Sequence, residues 1–403
     1  MKTPRVPSYV VVWAVLVCAW VSNYLVRMAL PPLLGPIMAE LALSYRGAGW
    51  LAAAFFYAYM AMQVPAGMLG DRIGRKRVAI GGLVVCAVAS VATGFAGTFI
   101  ALVLARLLTG LGQGCLFSND RVIIAGSTPP ARMALGQGVS FSGPGLGLTL
   151  GIVLAGALGE VLPWRGVFLV FALPPLVAAA LVGRFVPEPP RRVAGRREWP
   201  LRRVLAARDL WLLGVSSAMP IYVQFTVATW APLMFGELGV AELGRAARYA
   251  SVQGLAAPVG LLCWGWLADR AERRGVGRPL VIALALVLSA VATAGMARVV
   301  HTKGSPLAFT LYMLAMVFCS WGIWGPSFAV LGALFPPDVR GTAFGVFNTL
   351  AFTGALVGPV LTGWLKDATG SFAAGCYLAA GVALAGGMLA LLVRGARAGA
   401  AAA

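Results

Sequence analysis

Three arginines lie inside long apolar segments of this sequence, at Arg27, Arg106 and Arg121. If such segments cross a bilayer, an arginine in the hydrocarbon core costs at least about 2.5–3.5 kcal/mol and is a functional candidate by default. Its planar guanidinium can donate two parallel hydrogen bonds to one carboxylate. Arg27 and Arg106 are each seven residues from the predicted outer end of their segment, or about 10 Å deep. The pair predicts an anion site, with helix packing by Arg106 and an outward-reaching Arg27 as alternatives.

One acidic residue, Asp120, also falls inside a predicted span, whereas the other acids fall in loops, in a linker or at span ends. Burial disfavours the charged form of a carboxylate and a nearby arginine favours it, so a proton on Asp120 could follow a conformational change. Adjacent residues of a helix point apart, so a partner other than Arg121 is expected. The alternatives are proton coupling by Asp120 and a fixed ion pair.

The composition indicates which elements position these groups. Of the 403 residues, 60% are hydrophobic and 11% charged, against about 25% charged in soluble proteins. Helices are the open-chain structures that satisfy the backbone in lipid, and each span needs about 20 residues. The sequence therefore predicts an all-α membrane protein with twelve transmembrane helices. The predicted spans are 9–34, 47–69, 78–96, 99–126, 133–158, 166–186, 210–235, 246–268, 279–298, 306–334, 341–364 and 373–393.

The distribution of basic residues predicts the orientation. Of the 32 Lys and Arg residues, 22 fall in segments on one side if both termini are cytoplasmic, and 7 on the other. Positive loops stay inside, so both termini are predicted to be cytoplasmic in a multi-pass protein of the inner membrane. The net charge of +19 is spread between apolar runs, which argues against nucleic-acid binding, because a polyanion needs a continuous basic face.

The sequence repeats itself, which predicts two pseudo-symmetric six-helix halves. Gly67-Met-Leu-Gly-Asp-Arg72 recurs as Gly265-Trp-Leu-Ala-Asp-Arg270, and Gly143-Pro144 recurs as Gly358-Pro359. The predicted halves are residues 1–186 and 210–403, joined by a basic cytoplasmic linker at 187–209. Duplicated halves of this kind place a solute site at their interface, near the membrane midplane.

The repeated motif resembles the signature loop of the major facilitator superfamily, in the stretch from Gly67 through Arg77 and its copy at 265–274. The resemblance covers essentially the whole chain. It implies the major facilitator fold and a latch on the cytoplasmic side that joins the two halves. The latch residues that it implies are Asp71, Arg72, Arg75, Asp269 and Arg270.

Within that superfamily, the first half is most similar to the anion:cation symporters. The similarity lies in Asn23-Tyr24-Leu-Val-Arg27, in the second-helix stretch with Tyr59 and Gln63-Val-Pro-Ala-Gly67, and in the fourth-helix arginine motif around Arg106. It implies that Arg27 and Arg106 hold a substrate carboxylate. Val26 and Gln113 stand where these symporters often carry acids, so the two carboxylates that the resemblance would imply for proton coupling are missing. The substrate-binding residues predicted in this half are Arg27, Arg106, Tyr24, Tyr59, Gln63 and Gln113.

The second half has no charge in the middle of its predicted spans. Its candidate substrate-binding residues are Tyr222, Gln224, Trp321, Trp324 and Asn348. Trp321 and Trp324 share a predicted helical face, where packing is the alternative to a pocket. Together these groups would suit a partly apolar organic body that carries an anionic head.

These patterns predict a monomeric secondary active transporter of a small organic anion, a carboxylate, working by alternating access with a proton or counter-anion. The Gly143-Pro144 segment resembles a motif of proton-driven drug antiporters, so a drug or metabolite exporter is the alternative. A third hypothesis is a receptor that binds its solute without moving it. No arrangement of enzyme residues is present in the sequence, and the six cysteines lack metal-ligand spacing. No enzyme activity, metal or cofactor is therefore expected.

Overall fold

A computed structural model describes residues 8–129, 132–189, 201–335 and 337–394. Within these ranges the chain forms seventeen helices and no strand. The helices are α1 Tyr9–Met28, α2 Leu30–Leu41, α3 Tyr45–Ile73, α4 Arg75–Gly94, α5 Phe99–Ser127, α6 Met133–Val161, α7 Trp164–Val170, α8 Leu173–Phe185, α9 Leu201–Leu205, α10 Arg208–Glu237, α11 Leu243–Ser251, α12 Gln253–Arg273, α13 Arg278–His301, α14 Pro306–Gly322, α15 Trp324–Leu334, α16 Pro337–Thr369 and α17 Ala373–Leu391.

Twelve stretches of these helices are long and apolar enough to cross a membrane, which confirms the predicted number. Four spans consist of two consecutive helices, α1 with α2, α7 with α8, α11 with α12, and α14 with α15. Pro31 lies in the first turn of α2 and Pro174 in the first turn of α8, where a proline without an N–H donor is best tolerated. The first span runs to Leu41, so the predicted end at residue 34 was too early. Arg27 is therefore 14 residues from that end, about 21 Å along the helix.

The contacts divide the chain into two compact units. As far as the structure describes them, one unit holds residues 8–43, 50–189 and 242–251, and the other holds 44–49, 201–241 and 252–394. The predicted halves, 1–186 and 210–403, stay a prediction. Most of the predicted linker, residues 190–200, lies outside the described residues, and so do residues 1–7 and 395–397, which hold bases counted in the orientation argument.

In the first unit, α1 packs on α6 along a seam of glycines. A Cβ at Gly143 would lie 2.6 Å from the Cβ of Trp20, and one at Gly147 would lie 2.5 Å from the Cβ of Tyr24. These distances are too short for any side chain, so only glycine allows the two helices to approach this closely. The Gly143-Pro144 segment is therefore used in helix packing, and the same seam fixes the α1 residues that face the interior.

The second unit contains the corresponding contact between α10 and α16. A Cβ at Gly354 would lie 2.0 Å from the carbonyl oxygen of Ala218, and one at Gly358 would lie 2.7 Å from that of Tyr222. The two Gly-Pro segments that repeat in the sequence thus make equivalent backbone contacts inside their own units. This contact fixes the register of α10, which carries the candidate residues Tyr222 and Gln224.

Candidate functional site in the first unit

Arg27 is buried on α1, with 4% of its surface exposed. One guanidinium nitrogen, Nη1, donates to the hydroxyl of Tyr24 at 3.2 Å and to Oε1 of Gln113 at 3.1 Å. The guanidinium also lies over three aromatic rings, with Cζ at 4.9 Å from the centroid of Tyr24, 4.5 Å from Phe55 and 4.8 Å from Phe56. Rings at these distances attract a desolvated cation. The site therefore orients Arg27 with neutral polar and aromatic groups.

Arg106 approaches the same place from α5. Its Cζ lies 5.6 Å from the centroid of the Phe55 ring, so both guanidiniums contact one aromatic side chain. Arg106 is 3% exposed, and its Nε has no hydrogen-bond partner among the described residues. The ion pairs in that part of the chain do not include Arg106. A buried guanidinium without an acidic partner is costly, and a bound anion would offset that cost.

Two hydrogen bonds join α1 to α5. Arg27 donates to Gln113, and the indole Nε1 of Trp20 donates to Oδ2 of Asp120 at 3.0 Å. The two bonds are seven residues apart on each helix, or about 10 Å along the helix axis. Trp20 also contacts the ring of Tyr24, at a centroid distance of 6.2 Å. Asp120 is thus hydrogen-bonded to α1, the helix that carries Arg27.

Asp120 has three partners in the first unit. Besides the Trp20 bond, it accepts from the hydroxyl of Ser140 at 3.0 Å and pairs with Nη2 of Arg121 at 2.9 Å. Trp20 and Ser140 are partners other than Arg121, as expected, but Arg121 does not point away, because its long side chain reaches back to its neighbour. The Asp120 side chain is fully buried, whereas the Arg121 side chain is 28% exposed. The carboxylate is therefore held inside the protein while the cation reaches its boundary.

The remaining predicted residues of this half lie around the arginines. Tyr59 is buried and stacks on Phe55, with ring centroids 5.6 Å apart and an interplanar angle of 16°. Gln63, one turn later on α3, is partly buried. Phe55 and Phe56 were not predicted as site residues. The signal that could have identified them was their position one turn before Tyr59, on the helix that the resemblance had singled out.

The candidates of the second half are described within their own unit. Tyr222 and Gln224 are each 4% exposed on α10, and neither side-chain polar atom of Gln224 has a described hydrogen-bond partner. Trp324 begins α15 and packs against Phe328 and Phe347, at 5.5 and 6.0 Å between centroids. These contacts are those of a packing residue. Trp321 and Asn348 are partly buried.

The structure divides this span into α14, which ends at Gly322, and α15, which begins at Trp324. Ile323 between them keeps a right-handed helical backbone, with φ −71° and ψ −18°, and one apolar stretch runs across it from Pro306 to Leu334. The shared helical face of Trp321 and Trp324 therefore stays a prediction.

The predicted latch residues lie at the ends of α3, α4 and α12. Asp71 forms an ion pair with Arg75, and Arg75 also donates to Oδ1 of Asn119 at 3.3 Å. In the second unit, Asp269 pairs with Arg278 at 3.4 Å. Arg72 is exposed, and Arg270 lies over the ring of Trp266 at 5.6 Å. The motif therefore organises helix ends inside each unit, and its role as a latch stays a prediction.

Comparison with known proteins places this architecture in a family. The model of the Major Facilitator Superfamily matches residues 15–350 and 249–402. The chain is 27% identical over 387 residues to the hexuronate transporter of Bacillus subtilis (strain 168), covering 91% of this chain and 90% of that protein. It is 28% identical over 363 residues to the 3-(3-hydroxy-phenyl)propionate transporter of Escherichia coli (strain K12), covering 87% and 86%.

A solved structure shares the fold. The chain superposes on a bacterial homologue of the human lysosomal transporter Spinster with a TM-score of 0.78 and 17% identity, covering 95% of this chain and 94% of that one. The twelve apolar helices, the repeated motif and the family match agree. This chain belongs to the Major Facilitator Superfamily and is a multi-pass membrane transporter rather than an enzyme.

Proposed function

We propose that this chain carries a small organic anion, a carboxylate, across the cytoplasmic membrane by alternating access. The observation that carries the proposal is the convergence of Arg27 and Arg106 on the ring of Phe55 inside the membrane spans, with Arg106 free of any described acidic partner. The names of the two relatives, which describe transporters of hexuronate and of a hydroxyphenylpropionate, support an anionic substrate.

The chemistry of binding follows from the two guanidiniums. Tyr24, Gln113 and the aromatic rings hold Arg27 in one orientation, so little side-chain freedom is lost when an anion arrives. Arg106 supplies a second positive charge next to the same ring. A carboxylate between two forks makes charge-assisted hydrogen bonds that are stronger than neutral ones. The proposed carrier is a monomer with both termini in the cytoplasm.

Replacing Arg27 by lysine tests the binding site. Arg27→Lys keeps the positive charge but loses the planar fork, so it should lose most of its affinity for a carboxylate. Arg132→Lys is the matched control, because Arg132 is exposed at the start of α6 and donates to the hydroxyl of Tyr9 at 2.7 Å. Binding is measured by calorimetry on purified protein. Equal anion affinity in Arg27→Lys and wild type would show that a bidentate contact at position 27 is not used.

We further propose that Asp120 links transport to a proton, with exchange against a counter-anion as the other coupling mode. Its carboxylate is buried and bonds to Trp20, on the helix that carries Arg27. Protonation would weaken the pair with Arg121 and change how α1 is held against α5. In this way the proton state of Asp120 would be transmitted to the anion site, which is two helical turns away.

Asp120→Asn separates these two coupling modes. The amide removes the charge but keeps an oxygen that can accept from the indole of Trp20. In proteoliposomes, this variant should lose the solute accumulation driven by a pH gradient and keep counterflow exchange. Ser142→Ala is the control on α6, because its exposed hydroxyl bonds only locally to the carbonyl of Val139. Gradient-driven accumulation that survives in Asp120→Asn would refute proton coupling through this residue and leave exchange.

A further inference from the structure

Among the residues that the structure describes, two buried amides have no hydrogen-bond partner at either polar atom. In the first unit, Asn23 on α1 is 0% exposed, and neither its Oδ1 nor its Nδ2 is bonded to a described group. In the second unit, Gln224 on α10 is 4% exposed, and neither its Oε1 nor its Nε2 is bonded to a described group. A buried donor or acceptor without a partner is costly, so such groups in a native protein usually receive a partner from a ligand or a water molecule.

Asn23 lies next to the proposed anion site. It is one helical turn before Arg27, so both residues share a face of α1. Gln113, which accepts from Arg27, also has an Nε2 without a described partner. The arginines themselves are only 4% and 3% exposed. Asn23 is thus hardly more enclosed than the charged groups that must receive the substrate.

The chemistry of an amide restricts what can satisfy it. A carboxylate only accepts hydrogen bonds, so it can bond to the NH₂ group but leaves the carbonyl oxygen unpaired. A hydroxyl both donates and accepts, and it can satisfy both ends of the amide. An anion with a hydroxyl close to its carboxylate therefore complements Arg27 and Asn23 together, whereas an unsubstituted fatty acid complements only the arginine.

We propose that the transported anion is a hydroxylated carboxylate and that Asn23 recognises a hydroxyl group one helical turn from the carboxylate bound by Arg27. The inference rests on the proposed function, because it takes the arginines as the carboxylate site. Within the second unit, Gln224 is a buried amide of the same kind. The hydroxyl of Ser217, two turns earlier on the same face of α10, is also buried without a described partner. Each unit thus contains neutral groups that are suited to hydroxyls.

The test compares acids that differ only in their hydroxyl groups. The pairs are L-lactate with propionate, L-tartrate with succinate, and D-gluconate with hexanoate, each at a pH at which both members are fully ionised. Binding to the purified full chain is measured by calorimetry. At least one hydroxylated acid should bind about tenfold or more tightly than its partner, because a site that is built to bond a hydroxyl strongly rejects an analogue lacking it. Equal binding within every pair that binds would overturn the inference and leave the proposed function intact, whereas failure of wild type to bind any carboxylate would overturn both.

Substitution of Asn23 assigns the preference to this residue. Asn23→Leu, which keeps the number and branching of the side-chain heavy atoms, should lose the preference for the hydroxylated acid while its affinity for the unsubstituted acid stays within about twofold. Ser22→Ala is the control, because its buried hydroxyl already donates to the carbonyl of Ala19 at 2.8 Å. The melting temperature reports folding, and Asn23→Ala is a second variant that removes the amide if Asn23→Leu does not fold. An unchanged preference in folded Asn23→Leu or Asn23→Ala, or an equal loss of affinity for both acids, would show that Asn23 does not recognise the hydroxyl group.

Discussion

Arg106 offers a prediction in which stability and binding change in opposite directions. Arg106→Met replaces the guanidinium by an unbranched apolar side chain that can fill a similar volume. An arginine inside the membrane costs about 2.5–3.5 kcal/mol, and its contact with the ring of Phe55 at 5.6 Å returns about 0.5–2 kcal/mol. The ion pairs among the described residues do not include Arg106, so none offsets the rest of this cost. The protein without anion should therefore become more stable by about 0.5–3 kcal/mol.

The same substitution should weaken anion binding. A hydrogen bond to a charged group contributes about 1.5–3 kcal/mol, so Arg106→Met should reduce carboxylate affinity about 10- to 150-fold. The assay is a thermal melt of the purified protein with and without a carboxylate, because a ligand that binds the folded state raises the melting temperature by mass action. The variant should melt higher than wild type without ligand, and ligand should raise its melting temperature less.

Arg165→Met is the matched control in the same unit. Arg165 is 31% exposed and pairs with Glu40, so its removal should leave melting unchanged or slightly lower and should not alter anion binding. A lower melting temperature for Arg106→Met without ligand would indicate that Arg106 braces the helices. Unchanged anion affinity in the same variant would show that Arg106 is not part of the binding site.

The two remaining predictions concern packing and topology. Gly143→Ala should lower the free energy of unfolding by about 1–3 kcal/mol, because its Cβ would lie 2.6 Å from the Cβ of Trp20. A Cβ at Gly81 would have no neighbouring atom within 4 Å, so Gly81→Ala should be neutral or stabilising by about 0.4–1 kcal/mol. Equal melting temperatures of the two variants would contradict the close contact at Gly143. A cysteine at Ser8, and one in the 187–208 segment, should react with an impermeant thiol reagent only from the cytoplasmic side, measured in a background without the native cysteines. Labelling of either position in intact cells would refute the cytoplasmic orientation.

The sequence was sufficient to predict the elements and their number. Lipid cannot satisfy backbone hydrogen bonds, so apolar runs of sufficient length must be helices, and the predicted twelve spans follow from hydropathy. The glycine seam could also be anticipated, because Gly143, Gly147 and Gly151 recur every four residues on one face of α6. The end of the first span was misplaced, because the span continues beyond Pro31 and Pro32, which lie in the first turn of the second helix of the same span, α2.

The arginines were recognisable from the sequence, because a charge in an apolar run is conspicuous wherever the chain folds. Their surroundings were not. The rings of Phe55 and Phe56 come from another helix and resemble any other apolar residue in the sequence. Likewise, helical spacing predicted that Arg121 would point away from Asp120, whereas the flexible side chain turns back to it.

The pairing of α1 with α5 was decided by the tertiary structure alone. The two hydrogen bonds between these helices join Trp20 to Asp120 and Arg27 to Gln113, which are 100 and 86 positions apart in the chain. Periodicity within one helix determines which side chains share a face, but it contains no information about the register of a distant helix. That register depends on how closely the glycines let backbones approach and on which side chains fill the remaining space. The sequence thus determined the charged groups and the helices that carry them, and the packing of those helices decided which groups meet.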